Sequence, residues 1–480
     1  MTEIAVLDPT EAPRARRWDA LVLGSGIRAQ AAAARIAAGG LRVLVVEEAA
    51  RTTLPPAMQE PFFLAGLRDE GILDALLRKL NVPLIDRRRI STERLAYQIA
   101  YDPFRLDVGQ PSVMAEELVT WGLLKPDDAM ALVRRLLESS EIERRLLLES
   151  SFVRIGRRLG MSRSTLGLSA SSGPTVGNHK RGLPGDASAA TGDLRRILDA
   201  QTRALSNLGQ GRPTPEAQAR LLGLGLAGGA GFADQPPWLV DLLRKRVTGL
   251  YGDYRTVNGD FELVSVSGQP GIRVLRTGEI WLGRVIVLGA APSALRDMGR
   301  RSDGVEPPSF LERRVSRGYR ASLLFRVPTS ILPDGMGARL ILPGADENSP
   351  TVAVTAFPSL SHPNRIDLVT RAMLPDPEPS RIEEQTEALR EDIAERLRDL
   401  MPFCADLLDQ IEAKRPQWDD DDGWLEDPPP GQGWPGDTDL RISSRPPIYH
   451  LDRSAVAGLG LEGDLLLGWR AGDAIAEELA

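Results

Sequence analysis

The stretch DALVLGSGIRAQAAAARIAAGGLRVLVVEE, residues 19–48, decides the fold prediction. DALVL reads as a short buried strand, GSG as a tight turn and IRAQAAAARIAA as an alanine-rich helix. A glycine pair closes that helix, and LRVLVV forms a second buried strand. The unit covers about 30 residues, the length that a right-handed parallel β-α-β crossover needs. The stretch therefore predicts an α/β domain built on a parallel sheet.

Three small residues, Gly24, Gly26 and Ala29, follow the spacing of a dinucleotide-binding fingerprint. Gly24 permits the tight turn, Gly26 allows the backbone to approach a pyrophosphate, and Ala29 allows close packing of helix on strand. The N-terminus of the helix offers free N–H groups to the anion. Glu47 ends the second strand about 20 residues further on, where a carboxylate accepts hydrogen bonds from ribose hydroxyls. The alternative interpretation is a glycine turn that binds nothing.

The same stretch resembles the N-terminus of flavin amine oxidases and phytoene-desaturase-like FAD-dependent oxidoreductases. Later segments keep the order of that family, namely Gly228-Gly229 with a following helix, VIVLGAAPSAL (285–295), and helix 383–399 followed by RPQW (415–418). The resemblance implies FAD as cofactor, with Gly24, Gly26 and Ala29 at its pyrophosphate and Glu47 at its adenosine ribose. It also implies an adenine contact from strand 261–266. Gly468, at the turn after the predicted last strand, is included among the cofactor-binding residues.

Two departures from the family pattern affect the flavin-ring half of the implied site. Arg51 is present after the ribose-binding acid, but EEAARTTLPPAMQEPFF (47–63) lacks the glycine pair that usually follows it. At the C-terminus, DLLLG (464–468) is predicted as a strand that leads into a helix with almost no loop. Asp473 is expected inside that last helix rather than facing a flavin, because AGDAIAEEL continues with helical spacing.

These observations leave two functional hypotheses. The first is an FAD-dependent oxidoreductase acting on an apolar or amine small-molecule substrate. The second is a cofactor-free or ADP-only relative of the same fold that serves as a protein-binding or scaffold subunit. Rab GDP-dissociation inhibitors, which use this fold without flavin, supply a fold-level analogy for the second hypothesis. No catalytic residue is assigned from the sequence.

The predicted fold class is α/β, with a discontinuous Rossmann-like FAD-binding domain and a second, mixed α+β substrate-type domain. The predicted boundaries are a flexible arm at 1–17, a dinucleotide domain at 18–60, 222–300 and 448–480, and a substrate-type domain at 61–221 and 301–447. The second domain carries a Gly/Ser-rich loop at 160–193 and an acidic Pro/Trp loop at 416–447.

Composition narrows the functional classes. Hydrophobic residues make up 42% and charged residues 26% of 480 residues, which is typical of a globular chain. The formal charge of -7 argues against a general nucleic-acid binder. The single cysteine, Cys404, excludes a disulfide framework and a cysteine-built zinc site, and it is expected to be a small buried residue. The sequence predicts no transmembrane segment, no secretory signal and a cytoplasmic location.

The remaining candidate residues carry weaker signals. Asp419 to Asp422 lack the spacing of a calcium loop and are expected to form a solvated acidic loop. Trp418, Trp424 and Trp434 either line a substrate mouth or an interface, or pack within the loop. His179, His362 and His450 form no metal-binding pattern and are expected at the surface or in local hydrogen bonds.

Overall fold

The computed structural model describes residues 5–8, 15–65, 71–149, 152–154, 190–232, 236–258, 261–290, 318–345, 349–375, 377–404, 406–427 and 438–480. Most of the predicted loop 160–193 lies outside these residues. The same holds for His179, Trp434 and residues 291–295 of VIVLGAAPSAL.

The described strands are β1 (Ala5–Leu7), β2 (Arg16–Leu23), β3 (Val43–Glu48), β4 (Ile90–Glu93), β5 (Leu95–Tyr101), β6 (Phe104–Gly109), β7 (Val153–Arg154), β8 (Gly229–Phe232), β9 (Asp253–Val257), β10 (Phe261–Val266), β11 (Gln269–Val274), β12 (Ile280–Leu288), β13 (Gly318–Pro328), β14 (Arg339–Leu342), β15 (Val352–Pro358), β16 (Arg365–Pro375), β17 (Asp409–Ile411), β18 (Gly423–Leu425), β19 (Thr438–Asp439), β20 (Arg441–Ser444) and β21 (Pro447–His450). The described helices are α1 (Ile27–Ala38), α2 (Ala49–Thr52), α3 (Pro56–Gln59), α4 (Ile72–Lys79), α5 (Leu84–Arg87), α6 (Pro111–Thr120), α7 (Pro126–Glu149), α8 (Gly192–Leu205), α9 (Pro215–Leu226), α10 (Trp238–Gly249), α11 (Ile382–Leu400) and α12 (Gly460–Leu479).

The first sheet contains the β-α-β unit predicted from residues 19–48. Its strand order is β1-β10-β11-β12-β2-β3-β9, and β21 also pairs with β12. Strands β12, β2, β3 and β9 run parallel to one another. Strand β3 and the inner part of β2 are buried, as expected for strands covered on both faces. The predicted parallel crossover is confirmed.

The second sheet is mostly antiparallel and has the order β17-β13-β16-β15-β14-β5-β6. Helix α11 packs on this sheet through Leu389, Ile393 and Leu397, which are spaced by about one helical turn and are buried. It ends before Pro402, whose ring cannot continue a helix. The strands predicted between 318 and 374 are confirmed, and the α/β fold class with its Rossmann-like sheet is confirmed with them.

The C-terminal prediction is wrong, because residues 464–468 lie inside helix α12 and not in a strand. A short apolar run such as DLLLG fits a buried strand and a buried helix equally well by pattern. Tertiary packing selects the helix. A Cβ on Gly468 would lie 2.3 Å from the Arg28 carbonyl oxygen, and one on Gly472 would lie 2.5 Å from the Arg35 Cβ. Helices α1 and α12 therefore pack closely through small residues, and Asp473 lies in α12 as predicted.

Candidate functional site

The turn after β2 has the backbone of a dinucleotide fingerprint. Gly24 has a φ of +109°, which L side chains rarely adopt, and its N–H donates to the Val46 carbonyl at 2.9 Å. Gly26 precedes α1 with an extended backbone. A Cβ on Gly289 would lie 2.5 Å from the Cβ of Ala29, so the alanine packs closely against the end of β12.

A segment of the chain itself lies on this turn. We call residues 417–422 the acidic segment. The Asp419 carboxylate accepts the Ser25 N–H at 2.7 Å on Oδ1 and the Ser25 hydroxyl at 2.6 Å on Oδ2. The turn and the N-terminal end of α1 favour an anion at this point. The Asp419 carboxylate therefore meets the electrostatic demand that a phosphate group meets in a dinucleotide complex.

Asp421 places a second carboxylate against the same turn. A Cβ on Gly26 would lie 2.2 Å from Asp421 Oδ1, so any other residue at this position would require the Asp421 carboxylate to move. Arg51 donates through Nη2 to Asp421 Oδ2 at 2.8 Å, and Arg453 lies 3.4 Å from Asp421 Oδ1. The close backbone approach that Gly26 permits is thus used by the protein's own side chain.

Glu48 anchors the start of the acidic segment. Its carboxylate accepts the N–H groups of Gln417 at 2.8 Å and Trp418 at 2.9 Å. The indole of Trp418 is 4% exposed and meets the Phe261 ring edge-on, with 5.3 Å between ring centroids. Phe261 begins the strand from which an adenine contact is expected, so an aromatic side chain of the segment lies beside that strand. Trp418 therefore packs within the fold.

The predicted ribose-binding acid, Glu47, already has a partner of opposite charge. Arg244 donates to both of its carboxylate oxygens at 2.8 Å, and Thr256 adds a hydrogen bond at 3.3 Å. The Arg244 guanidinium also stacks 4.1 Å from the centre of the Tyr254 ring. A bidentate pair of this kind is among the stronger hydrogen-bonded contacts in proteins. Both Glu47 oxygens are engaged by protein donors.

Asp419 is buried and Asp420, Asp421 and Asp422 are partly buried, so the prediction of a solvated loop is wrong. Asp419 is only 3% exposed. Burial raises its pKa to about 7, against the lowering effects of Arg51 and the Ser25 hydrogen bonds. For Asp421, the surrounding guanidinium groups, with Arg51 foremost, outweigh burial and hold its pKa well below its usual range. Burial and the neighbouring Asp422 raise the pKa of Asp420 to about 6.

A cavity of about 170 Å³ lies beside the acidic segment and reaches the second sheet at Arg371 and Met373. Its apolar lining includes Leu54, Met58, Phe62, Leu208 and Met373, and its charged lining includes Glu60, Arg320, Arg371, Asp422 and Arg453. Burial raises the pKa of Glu60 to about 7, although its carboxylate accepts the Leu239 N–H at 2.8 Å.

Four of the five predicted cofactor-binding residues, Gly24, Gly26, Ala29 and Glu47, lie around the ends of β2 and β3. The fifth, Gly468, is not at a loop beside them but in α12, against the backbone of α1. Sequence reasoning missed the acidic segment and its anchor Glu48. The run of four aspartates was the available signal, but nothing local shows that it returns to a turn about 390 residues earlier in the chain.

The other candidates have local roles. Cys404 is fully buried, as predicted. The His362 ring shares a hydrogen bond with the neighbouring Ser361 hydroxyl at 2.7 Å, and Asp473 pairs with Arg35. Trp424 packs edge-on against Tyr319. Among the described residues, no cluster of His, Cys, Asp and Glu has the arrangement of a metal site, and no helix has both the length and the apolar character of a membrane span.

Comparison with solved structures establishes the fold class. A cofactor-binding redesign of putrescine oxidase superposes with a TM-score of 0.57 at 14% identity, over 97% of this chain and 100% of that chain. The chain has the fold of FAD-dependent oxidoreductases. Cyclohexylamine oxidase from Brevibacterium oxydans IH-35A gives 0.51 at 14% identity over 96% and 99% of the two chains. An oxidoreductase from Methanosarcina mazei gives 0.53 at 13% identity over 94% and 98%. No protein-family model and no curated protein matches the sequence.

FAD is the cofactor that this fold implies, and the residues around the turn do not fit its ADP half in the described conformation. The Ser25 donors are engaged by Asp419, and Asp421 lies against Gly26. Both oxygens of Glu47 are engaged by Arg244. The sequence departs from the family pattern at the flavin-ring half of the site. The structure shows that protein side chains also occupy the pyrophosphate and ribose positions of the ADP half.

Proposed function

We propose that this protein works without FAD and binds a small-molecule ligand in the cavity beside the acidic segment. The observation that carries the proposal is the pairing of the Asp419 carboxylate with both the N–H and the hydroxyl of Ser25. A pyrophosphate on the same turn would compete with this carboxylate for the same donors. The fold and the cavity would then bind a small-molecule ligand without the flavin.

The contacts that hold the acidic segment support this proposal energetically. Removing the segment would take three backbone donors from the buried Glu48 carboxylate and the Asp421 carboxylate from the buried Arg51. A buried polar group left unsatisfied costs about 1–3 kcal/mol, and more when it is charged. A bound dinucleotide would have to replace each of these contacts before it gained any net affinity.

The test is the visible absorption spectrum of the purified protein, before and after incubation with FAD and gel filtration. We expect no flavin bands in either state. Calorimetric titration with ADP then tests whether Asp419 and Asp421 prevent a pyrophosphate from binding to the turn. Wild type should not bind ADP, whereas the double variant Asp419→Ala/Asp421→Ala should gain measurable affinity, because the two competing carboxylates are gone.

The matched control is Asp334→Ala/Asp406→Ala, which removes two exposed carboxylates elsewhere. It should behave like wild type. Flavin that stays with the wild-type protein through gel filtration would contradict the proposal. The absence of any gain in ADP binding by the Asp419/Asp421 variant would show that these carboxylates do not take the place of the phosphates.

The second candidate function is an FAD-dependent oxidoreductase acting on an apolar or amine substrate. The intact turn at Gly24 and Gly26 favours it, as does the position of Arg51 beside that turn. It requires the acidic segment to leave the turn, and then Gly26→Val should abolish flavin binding. A protein partner for a cofactor-free scaffold stays a prediction, tested by a stable complex in size-exclusion chromatography.

A further inference from the structure

Arg371 lines the cavity and, like Arg415 in the same lining, forms no ion pair with a described carboxylate. Its Nη2 donates to the carbonyl oxygens of Met58, at 3.1 Å, and Glu60. In the part of the chain that the structure describes, no carboxylate forms an ion pair with Arg371, and its Nε and Nη1 have no hydrogen-bond partner. Arg320 and Arg453, in the same cavity, each pair with a carboxylate, at 2.9 Å and 2.8 Å. Arg371 therefore keeps donors available for a ligand.

The surroundings of Arg371 favour an anion beside these donors. The residue lines the cavity on β16, and burial lowers the pKa of its guanidinium below the usual range. Asp422 and Glu60 attract this cation from a distance, but no described carboxylate contacts it, and an anion brought by a ligand would pair with it directly. A guanidinium is planar, and its fork of N–H groups matches a carboxylate.

We propose that the cavity binds a monocarboxylate with an apolar body, and that Arg371 holds the carboxylate. This deepens the proposed function and rests on it, because it takes the cavity to be a ligand site in a flavin-free protein. The nearby carboxylates of Asp422 and Glu60 oppose a doubly charged anion, and Leu54, Phe62 and Met373 supply apolar contact for the body.

The proposal separates this ligand from the amine of the oxidoreductase hypothesis. An ammonium group in the same place would face the Arg371 cation. Among the carboxylates of the lining, Asp421 and Asp422 are already paired with Arg51 and Arg320. The sign of the charge that the cavity prefers is therefore the deciding property.

The experiment is calorimetric titration of the full-length protein with hexanoate, 1-hexanol and hexylamine, which share one apolar chain. We expect hexanoate to bind at least about tenfold more tightly than the other two, as one charge-assisted contact provides. Arg371→Gln should abolish this preference and leave hexanol binding unchanged. Arg365→Gln, on the same strand but paired at the surface with Asp409, should keep it.

Each result supports or refutes the proposed binding of a carboxylate by Arg371. Equal binding of the three ligands, tighter binding of hexylamine, or a preference that survives in Arg371→Gln would overturn the inference. If Arg371→Gln does not fold, the comparison of the three ligands on wild type decides alone. The spectrum of the same sample separates the two proposals: flavin bands refute the proposed function, whereas flavin-free protein without the hexanoate preference refutes only this inference.

Discussion

Asp419 accepts two hydrogen bonds from Ser25 and has lost nearly all contact with water. These two conditions shift the pKa of its carboxyl group in opposite directions. Burial disfavours the carboxylate, and the donated hydrogen bonds favour it. Burial prevails, and the pKa of Asp419 rises from 3.8 to about 7. Asp420 and Glu60 shift the same way, to about 6 and about 7. Buried acids of one site thus titrate close to neutral pH.

We expect Asp419→Asn to remove part of the pH dependence of stability. A carboxyl group whose pKa is raised on folding stabilises the folded state fully below its unfolded pKa of 3.8, and this contribution is lost as the pH rises through about 7. The asparagine variant, neutral at every pH, lacks this loss. Its melting temperature relative to wild type should therefore increase between about pH 4 and pH 7.

Asp421→Asn provides the control of opposite sign. Because the folded pKa of Asp421 is lowered, its carboxylate stabilises the protein above pH 3.8, and that contribution disappears as the pH falls. This variant should be destabilised at neutral pH and approach wild type in acid. A melting difference between Asp419→Asn and wild type that does not change with pH would contradict the prediction.

At the scale of elements, the pairing of α1 with α12 replaces the strand and loop predicted for the C-terminus. Gly468 and Gly472 are four residues apart, so they lie on one face of α12 and admit the backbone of α1. Ala31 and Ala32 meet them from α1. The same alanine-rich sequence that predicts α1 therefore also supplies the surface on which the last helix packs.

Gly468→Ala tests this contact. The added Cβ would lie 2.3 Å from the Arg28 carbonyl oxygen, which is backbone and cannot turn aside, so we expect a loss of about 1–3 kcal/mol in the free energy of unfolding. Gly249→Ala makes the same change at the end of α10, where a Cβ meets nothing within 4 Å. There we expect no loss, or a gain of up to about 1 kcal/mol. Urea denaturation of both variants measures the difference, and equal stabilities would refute the close contact.

At the scale of the whole molecule, the acidic segment joins the two sheets. Its Asp419 holds the turn of the first sheet. From β13 in the second sheet, Arg320 donates to the Asp422 carboxylate at 2.9 Å and the Asp421 carbonyl at 2.8 Å. It also reaches the side-chain oxygen of Asn207 at 2.6 Å. The segment that contacts the dinucleotide turn thus also connects the sheets.

Arg320→Gln should be strongly destabilising. The Arg320–Asp422 pair has side-chain exposures of 16% and 14%, so removing the cation leaves a largely buried carboxylate with only Arg371 and Arg415 to attract it, at a cost of up to about 3–5 kcal/mol. Arg365→Gln breaks a pair on the same sheet that is 34% and 52% exposed, and should cost less than about 1 kcal/mol. Guanidinium chloride unfolding followed by circular dichroism compares the two. Similar losses would show that the connection contributes little.

Part of the candidate site could be predicted from the sequence, because its signals are local. The positive φ of Gly24 and the position of Glu47 at the end of β3 follow from a motif within about 30 residues. The partners of these residues are distant in sequence. Arg244 covers Glu47 from α10, and Asp419 reaches Ser25 from near the C-terminus. No periodicity or spacing in the sequence connects such pairs, so the side chains that contact Glu47 and Ser25 could not be predicted.

By itself, the sequence determined the β-α-β unit, the parallel sheet and the strands of the second sheet, since turn glycines and hydrophobic periodicity act over one or two elements. The helical conformation of residues 464–468, and the position of residues 417–422 against the glycine turn, are visible only in the folded chain. The physical reason is that burial and charge pairing depend on what the rest of the chain brings nearby. Four consecutive aspartates are solvated in isolation, and they become stable inside the fold because Ser25, Arg51 and Arg320 supply donors and positive charge there.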